Sequence, residues 1–102
     1  MPDYPTAADL ARIEAWPPTD LRGLFDFIRE RWWHPDYWGE IGVPAGGPPA
    51  DRVDTCITCS TGGWSGNEDL IGALQANRAA WFITWYSSRR GGHFEFRLPR
   101  QG

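Results

Sequence analysis

The pattern of apolar residues predicts a small α+β fold in the order α-α-β-α-β-β, its helices packed on a three-stranded mixed sheet. Three observations carry that expectation. Leu21, Leu24, Phe25, Ile28 and Trp32 recur at helical spacing in "DLRGLFDFIRERWW". Val53, Thr55, Ile57 and Cys59 alternate through "RVDTCITC", the period of a half-buried strand. Phe94, Phe96 and Leu98 alternate likewise through "HFEFRL", with His93, Glu95 and Arg97 on the opposite face.

The elements follow in order. Thr6-Ala7-Ala8-Asp9 has the form of a capping box and opens a short helix through "AADLARIEAW", which Pro17 and Pro18 end. Thr19 then caps the second helix. From His34 to Ala50, "HPDYWGEIGVPAGGPPA" holds four prolines and four glycines, which predicts a long loop pinned by Tyr37 and Trp38. After the first strand, Ser65-Gly66-Asn67-Glu68 reads as a second capping box, and its helix turns Leu70, Ile71 and Leu74 inward.

"AAWFITWYS" is rich in β-branched and aromatic residues and reads as the second strand. "SRRGG" then connects a hairpin. Pairing Ser88 with His93 across a four-residue loop sets Trp85 opposite Phe96 and Ile83 opposite Leu98. Tyr86–Glu95 and Thr84–Arg97 then share the other face. One domain is expected over residues 1–102: a helical part with its Pro/Gly-rich loop at 1–50, and a βαββ core at 51–98.

Composition narrows the function. Seven Trp, five Phe and three Tyr supply enough bulk for a core in so short a chain. A net charge of −3 argues against non-specific nucleic-acid binding. Every basic residue is Arg, and without Lys there is no Walker A loop and no Schiff-base lysine. The start "MPDY" lacks a charged segment followed by an apolar run, and no stretch approaches the roughly 20 apolar residues of a membrane span. A soluble, cytoplasmic protein is expected, with Cys56 and Cys59 as free thiols.

The loop between the first strand and its helix, "STGGWSGN", is the candidate site. If the first two strands are parallel neighbours, a right-handed crossover joins them, and the loop and the Arg89–Gly92 hairpin tip share one sheet edge. Backbone N–H groups at the helix start, the hydroxyls of Ser60, Thr61 and Ser65, and the Asn67 amide then face Arg89, Arg90 and His93. Gly62 and Gly63 let a ligand approach the backbone, and Trp64 can stack on a flat ring. Such a hollow suits a phosphate-bearing or nucleotide-like molecule. Each residue also has a structural reading: Ser65 and Glu68 as a helix cap, the glycines as turn formers, Trp64 as a core plug, the arginines as solvated charges.

Other motifs fit less well. Cys56 and Cys59 lie three apart on a strand and so point to opposite faces, which disfavours a shared zinc; no metal and no cofactor is expected. Gly63-Trp64-Ser65-Gly66-Asn67 departs from the G-x-S-x-G nucleophile elbow at its last position. His93 with Glu68 or Glu95 offers an acid–base pair for a phosphodiester. Trp33 and Trp38, if exposed, offer a protein-binding surface.

Taken together, "CSTGGWSGNEDLIGALQ" and "SSRRGGHFEF" resemble a group of small proteins encoded by bacteriophages and prophages, which carry a similar S-T-G-G-W-S-G-N-E loop and a similar R-R-G-G-H turn. The resemblance covers residues 53 to 98 and marks Ser60 through Glu68 and Arg89 through His93. It implies a phage setting and a place in the host cytoplasm. The expectation is a non-catalytic protein that holds a phosphate-bearing small molecule, such as a sponge for a host immune nucleotide. The alternatives are an inhibitor or accessory factor acting on a host protein and a small phosphodiesterase. A homo-oligomer is compatible with an open sheet edge.

Overall fold

Residues 4–42 and 53–100 are described in the computed structural model of the chain. The Pro/Gly-rich stretch at 43–50, and Arg52 at the start of the expected first strand, lie outside them. Among the described residues the elements are α1 (Ala7–Ala15), α2 (Leu21–Glu30), a 3-10 turn (Pro35–Tyr37), β1 (Trp38–Gly42), β2 (Val53–Ser60), α3 (Ser65–Ala76), α4 (Arg78–Thr84), β3 (Trp85–Arg89) and β4 (His93–Pro99).

The first two helices start as local chemistry dictates, with one correction. Thr6 accepts from Asp9 N–H while the Asp9 carboxylate accepts from Thr6 N–H, a complete capping box. The cap of α2 is Asp20, not Thr19: its carboxylate accepts from Gly23 N–H at 3.1 Å. The apolar stripe of α2 is buried as its spacing requires, and Trp32 continues it beyond the last turn.

Among the described residues the sheet has four strands, not three, all paired antiparallel, in the order β1-β2-β4-β3. The added strand, β1, occupies part of the expected loop. Its glycines give it little strand propensity, so pairing with β2 makes it extended: Trp38 lies opposite Cys59 and Glu40 opposite Ile57. Glu40 also takes Arg22 and Arg29 of α2 at 3.7 and 3.5 Å, and the Trp38 indole N–H at 3.0 Å.

The run "AAWFITWYS" is the second correction. Most of it is helix α4, and only its end enters β3. Asn77 decides this: its side chain accepts from Ala80 N–H and donates to the carbonyls of Ile13 and Trp16. That cap fixes a helix against the end of α1 and overrides the β propensity of the following residues. The Trp85–Phe96 pair forms as expected, but the hairpin closes with Arg89 opposite His93 and a bulge at Tyr86. Ile83 lies in α4 and does not pair with Leu98.

All the core residues of the sheet lie on one face. Ile57, Cys59, Phe96 and Leu98 pack with Ile13, Leu24, Phe25, Leu70 and Leu74 of the helices, and the rings of Phe25 and Phe96 approach to 5.2 Å. The other face carries Gly39, Thr58, Ser60, His93, Glu95, Ser87 and Arg89, and among the described residues no α-helix packs over it. No helix among the described residues is long and apolar enough to cross a membrane.

Candidate functional site

The strands place Ser60, His93 and Arg89 side by side. In the ladder Ser60 pairs with His93, and His93 pairs with Arg89 on its other side. One rung across three strands thus aligns a hydroxyl, an imidazole and a guanidinium on the uncovered face. The predicted parallel pairing of the first two strands does not occur, since β4 lies between them. The two strands still run the same way, each antiparallel to β4, so their carboxyl ends reach the same edge as expected.

The loops meet there directly. Thr61 N–H donates to Gly92 O at 3.0 Å, and Ser60 Oγ lies 2.5 Å from His93 Nδ1. Gly91 and Gly92 adopt φ of 86° and 79°, which only glycine takes without strain. A Cβ at Gly92 would enter the Thr61 side chain, so the missing side chain is what lets the loops touch.

Around this rung is a groove of about 360 Å³. Ser60, Thr58, His93 and Arg89 supply donors, and Tyr37 and Asp36 of the 3-10 turn form its wall. Glu95 also faces it, but its carboxylate is held by Arg97 at 3.3 Å and accepts from Ser87 Oγ at 3.5 Å. Asp36 is therefore the carboxylate in the groove without such a partner among the described residues. Two hollows of about 440 Å³ on the helical side are larger but gather none of the expected residues.

The rest of the expected site is placed elsewhere. Thr61 is buried, and with Gly92 and Glu68 it lines a separate hollow of about 230 Å³ toward α3. Pleating explains the division: Ser60 faces outward, so the next residue turns toward the core, and the loop follows it in. Trp64 is only 8 % exposed, wedged between Tyr4 and Trp33 at ring distances of 4.9 and 5.5 Å and lying over Gly66. It is a core plug and cannot stack on a ligand in the groove.

Nor does Ser65 cap α3. The cap position is Trp64, which makes no side-chain cap bond, and Ser65 Oγ donates to Tyr4 Oη at 3.3 Å. Asn67 is fully buried and serves the fold: it accepts from Trp33 N–H at 2.9 Å and donates to the carbonyls of Trp33 and Thr61 at 3.0 and 3.2 Å. Two of the loop's amides are spent internally, Thr61 N–H on Gly92 and Trp64 N–H on Thr61 O. Gly62 has φ 63° and receives the Tyr37 ring; Gly63 has φ 76° and open space beside it. Arg90 is exposed at the hairpin turn and does not line the groove.

Two further expectations change or sharpen. Trp38 is buried edge-on against Trp32, and Trp33 is half-buried against Trp64 and His34, so these indoles do not form an exposed protein-binding surface. Cys56 and Cys59 leave β2 on opposite faces; Cys59 is buried among apolar groups, which pushes its thiol pKa up to about 12. Among the described residues no three His, Cys, Asp or Glu side chains gather as a metal site.

Sequence reading missed Tyr37, Asp36 and Thr58 as groove residues. Strand alternation from Ser60 was a sufficient signal for Thr58. Nothing local pointed to Tyr37 and Asp36, whose position depends on β1 joining the sheet. The chain matches no protein-family model, no curated protein and no solved structure.

Proposed function

We propose that this protein is a non-catalytic binding protein for a phosphate-bearing small molecule, held in the groove on the open sheet face. The observation that carries the reading is the Ser60–His93–Arg89 rung. Arg89 offers a guanidinium fork to phosphate oxygens, and Ser60 and Thr58 offer hydroxyl donors. With its hydrogen on Nδ1, His93 donates to Ser60 Oγ and leaves the Ser60 hydroxyl hydrogen for the ligand. Tyr37, exposed beside the groove, takes the stacking role that buried Trp64 cannot. Asp36 opposes an anion at one wall, so the fit favours a ligand whose phosphate sits at the Arg89 end.

In the phage setting implied by the loop and turn motifs, such a protein acts in the host cytoplasm as a sponge for a nucleotide signal of host immunity. Isothermal titration against linear and cyclic mono- and dinucleotides tests the reading. Binding by the intact protein that weakens at least about tenfold in Arg89→Ala supports it, since a charge-assisted contact contributes about 1.5–3 kcal/mol. No heat from any of them, or an Arg89→Ala protein that binds unchanged, ends it.

A second reading rests on the 2.5 Å approach of Ser60 Oγ to His93 Nδ1. A hydroxyl held against an imidazole is the arrangement in which His acts as general base, here for phosphodiester cleavage. Turnover of a cyclic nucleotide, abolished in His93→Ala, distinguishes this from simple binding; an unchanged rate in that variant removes it.

A further inference from the structure

The surface richest in exposed apolar side chains lies away from the groove's floor, where α4 runs into β3. Phe82 is 89 % exposed, Tyr86 51 %, Ile83 45 % and Trp85 43 %. Phe82, Ile83 and Trp85, open to that degree, leave on the order of 350 Å² of apolar surface, within the range of the largest patch on a typical monomer, while the Tyr86 ring lies under the Arg97 guanidinium at 3.4 Å. Beside them β3 is the terminal strand of the sheet, and its outer edge has no neighbour among the described residues. The bulge at Tyr86 limits the free pairing edge to about Ser87–Arg89. Side chains, more than a long ladder, must therefore supply the contact.

Charge identifies the occupant. Residues 78–93 contain Arg78, Arg89 and Arg90 and no carboxylate, whereas the rest of the chain carries all thirteen carboxylates against seven arginines. Among the described residues none of those three arginines makes an ion pair, and the nearest strand carboxylate, Glu95, is engaged by Arg97. Arg78 lies one turn before Phe82 on α4, so a cation sits beside the most exposed ring. A second copy of this chain on the same patch would bring two arginine-rimmed surfaces together, which costs repulsion.

We propose that the α4–β3 surface docks an acidic, apolar segment of another protein, laid along the edge of β3. Apolar side chains alternating with carboxylates suit the site. Trp85 faces the helical side of the sheet, where α4 places Phe82 and Ile83, while Arg89 faces the other side. A strand of period two therefore turns its apolar residues to the first set and its carboxylates to the second.

The test uses the intact protein and fluorescein-labelled peptides of alternating Glu and Phe, Lys and Phe, and Glu and Ser, read by anisotropy. Only the Glu–Phe peptide is expected to bind, and its affinity should fall at least about tenfold between low and 0.3 M NaCl. Phe82→Ser and Ile83→Ser, both at exposed positions, should each weaken it at least about fivefold with unchanged circular dichroism. Arg78→Glu with Arg90→Glu, neither of which lines the groove, should shift preference to the Lys–Phe peptide. Absence of binding, equal binding of both charged Phe peptides, or indifference to Phe82→Ser overturns the proposal. So does a dimer by sedimentation that Phe82→Ser dissolves, which would assign the patch to a second copy.

Discussion

Ser60 Oγ and His93 Nδ1 face each other at 2.5 Å across neighbouring strands, each of which adjoins a glycine-bearing turn. The contact lies on the open face of the sheet, within reach of solvent. It ties the imidazole orientation to the serine, one ladder position from Arg89.

Removing the hydroxyl should free the ring without harming the fold. Ser60→Ala is expected to change the Nδ1 and Nε2 nitrogen chemical shifts of His93 while lowering stability by no more than about 1 kcal/mol, as for one exposed neutral hydrogen bond. Nitrogen-detected NMR of the imidazole and a urea melt check the two halves. Unaltered ring shifts would show that the pair does not persist in solution.

The two loops meet because Gly92 has no side chain. Both Gly92→Ala and Gly63→Ala place a Cβ at positive φ, each costing about 1–2 kcal/mol. At Gly63 the space is open, but at Gly92 the new methyl meets Thr61, so Gly92→Ala should be the more destabilising by at least about 1 kcal/mol. It should also weaken binding in the groove, because Thr61 and Gly92 can no longer hold Ser60 beside His93. Denaturant melts of the two variants, side by side, give the comparison; equal losses refute it.

Asn67 belongs to the fold and not to the ligand. Asn67→Ala strands the N–H of Trp33 and the carbonyls of Trp33 and Thr61 in a buried place, at a cost of about 3 kcal/mol or more. Asn67→Asp keeps the acceptor but loses the donors and buries a charge, so it should be no better tolerated. Guanidinium unfolding measures both. A cost under about 1 kcal/mol for Asn67→Ala would contradict the bonding described.

The two thiols should differ in reactivity and in their effect on alkaline stability. Iodoacetamide is expected to modify Cys56 in the native protein and Cys59 only after unfolding, as peptide mass mapping will show. Burial raises the Cys59 pKa from 9.0 to about 12, so across that interval the folded chain retains a proton that the unfolded chain releases. Stability therefore falls as pH rises through the window, by up to about 1.4 kcal/mol per unit from this group. Cys59→Val should flatten that part of the profile relative to the parent.

At the acidic end Asp9 contributes in the opposite sense. The Thr6 backbone N–H, helped by Arg31 at 3.2 Å, holds its carboxyl below the ordinary value. The resulting stabilisation is present above the unfolded carboxyl's pKa and is lost as pH falls through the folded one. Asp9→Asn should make the acid limb of a thermal-melt profile shallower.

Local signals were legible wherever a few neighbouring residues settle the outcome. The Thr6–Asp9 box, the α2 stripe from Leu21 to Ile28 and the alternation in β2 and β4 all appear in the chain as read, because caps and periodicity act over three or four residues. The outward set Ser60 and His93 followed from alternation alone. The meeting of the two turns at one edge was expected from a parallel pairing that does not form; β4 between the two strands, antiparallel to each, is what produces it.

By itself, then, the order of residues determined an α+β chain with its apolar faces defined and with Ser60 and His93 on the outward faces of their strands. Tertiary structure decided the rest. It made a strand of Trp38–Gly42, whose propensity is weak until β2 offers it hydrogen bonds, and thereby brought Tyr37 to the groove. It made a helix of Arg78–Thr84, because Asn77 finds the carbonyls of Ile13 and Trp16 more than sixty residues away. It also took Trp64 and Asn67 inward, where Tyr4 and Trp33 receive them. Those choices turn on contacts between distant segments, whose free energies exceed the fraction of a kcal/mol per residue by which local propensities differ.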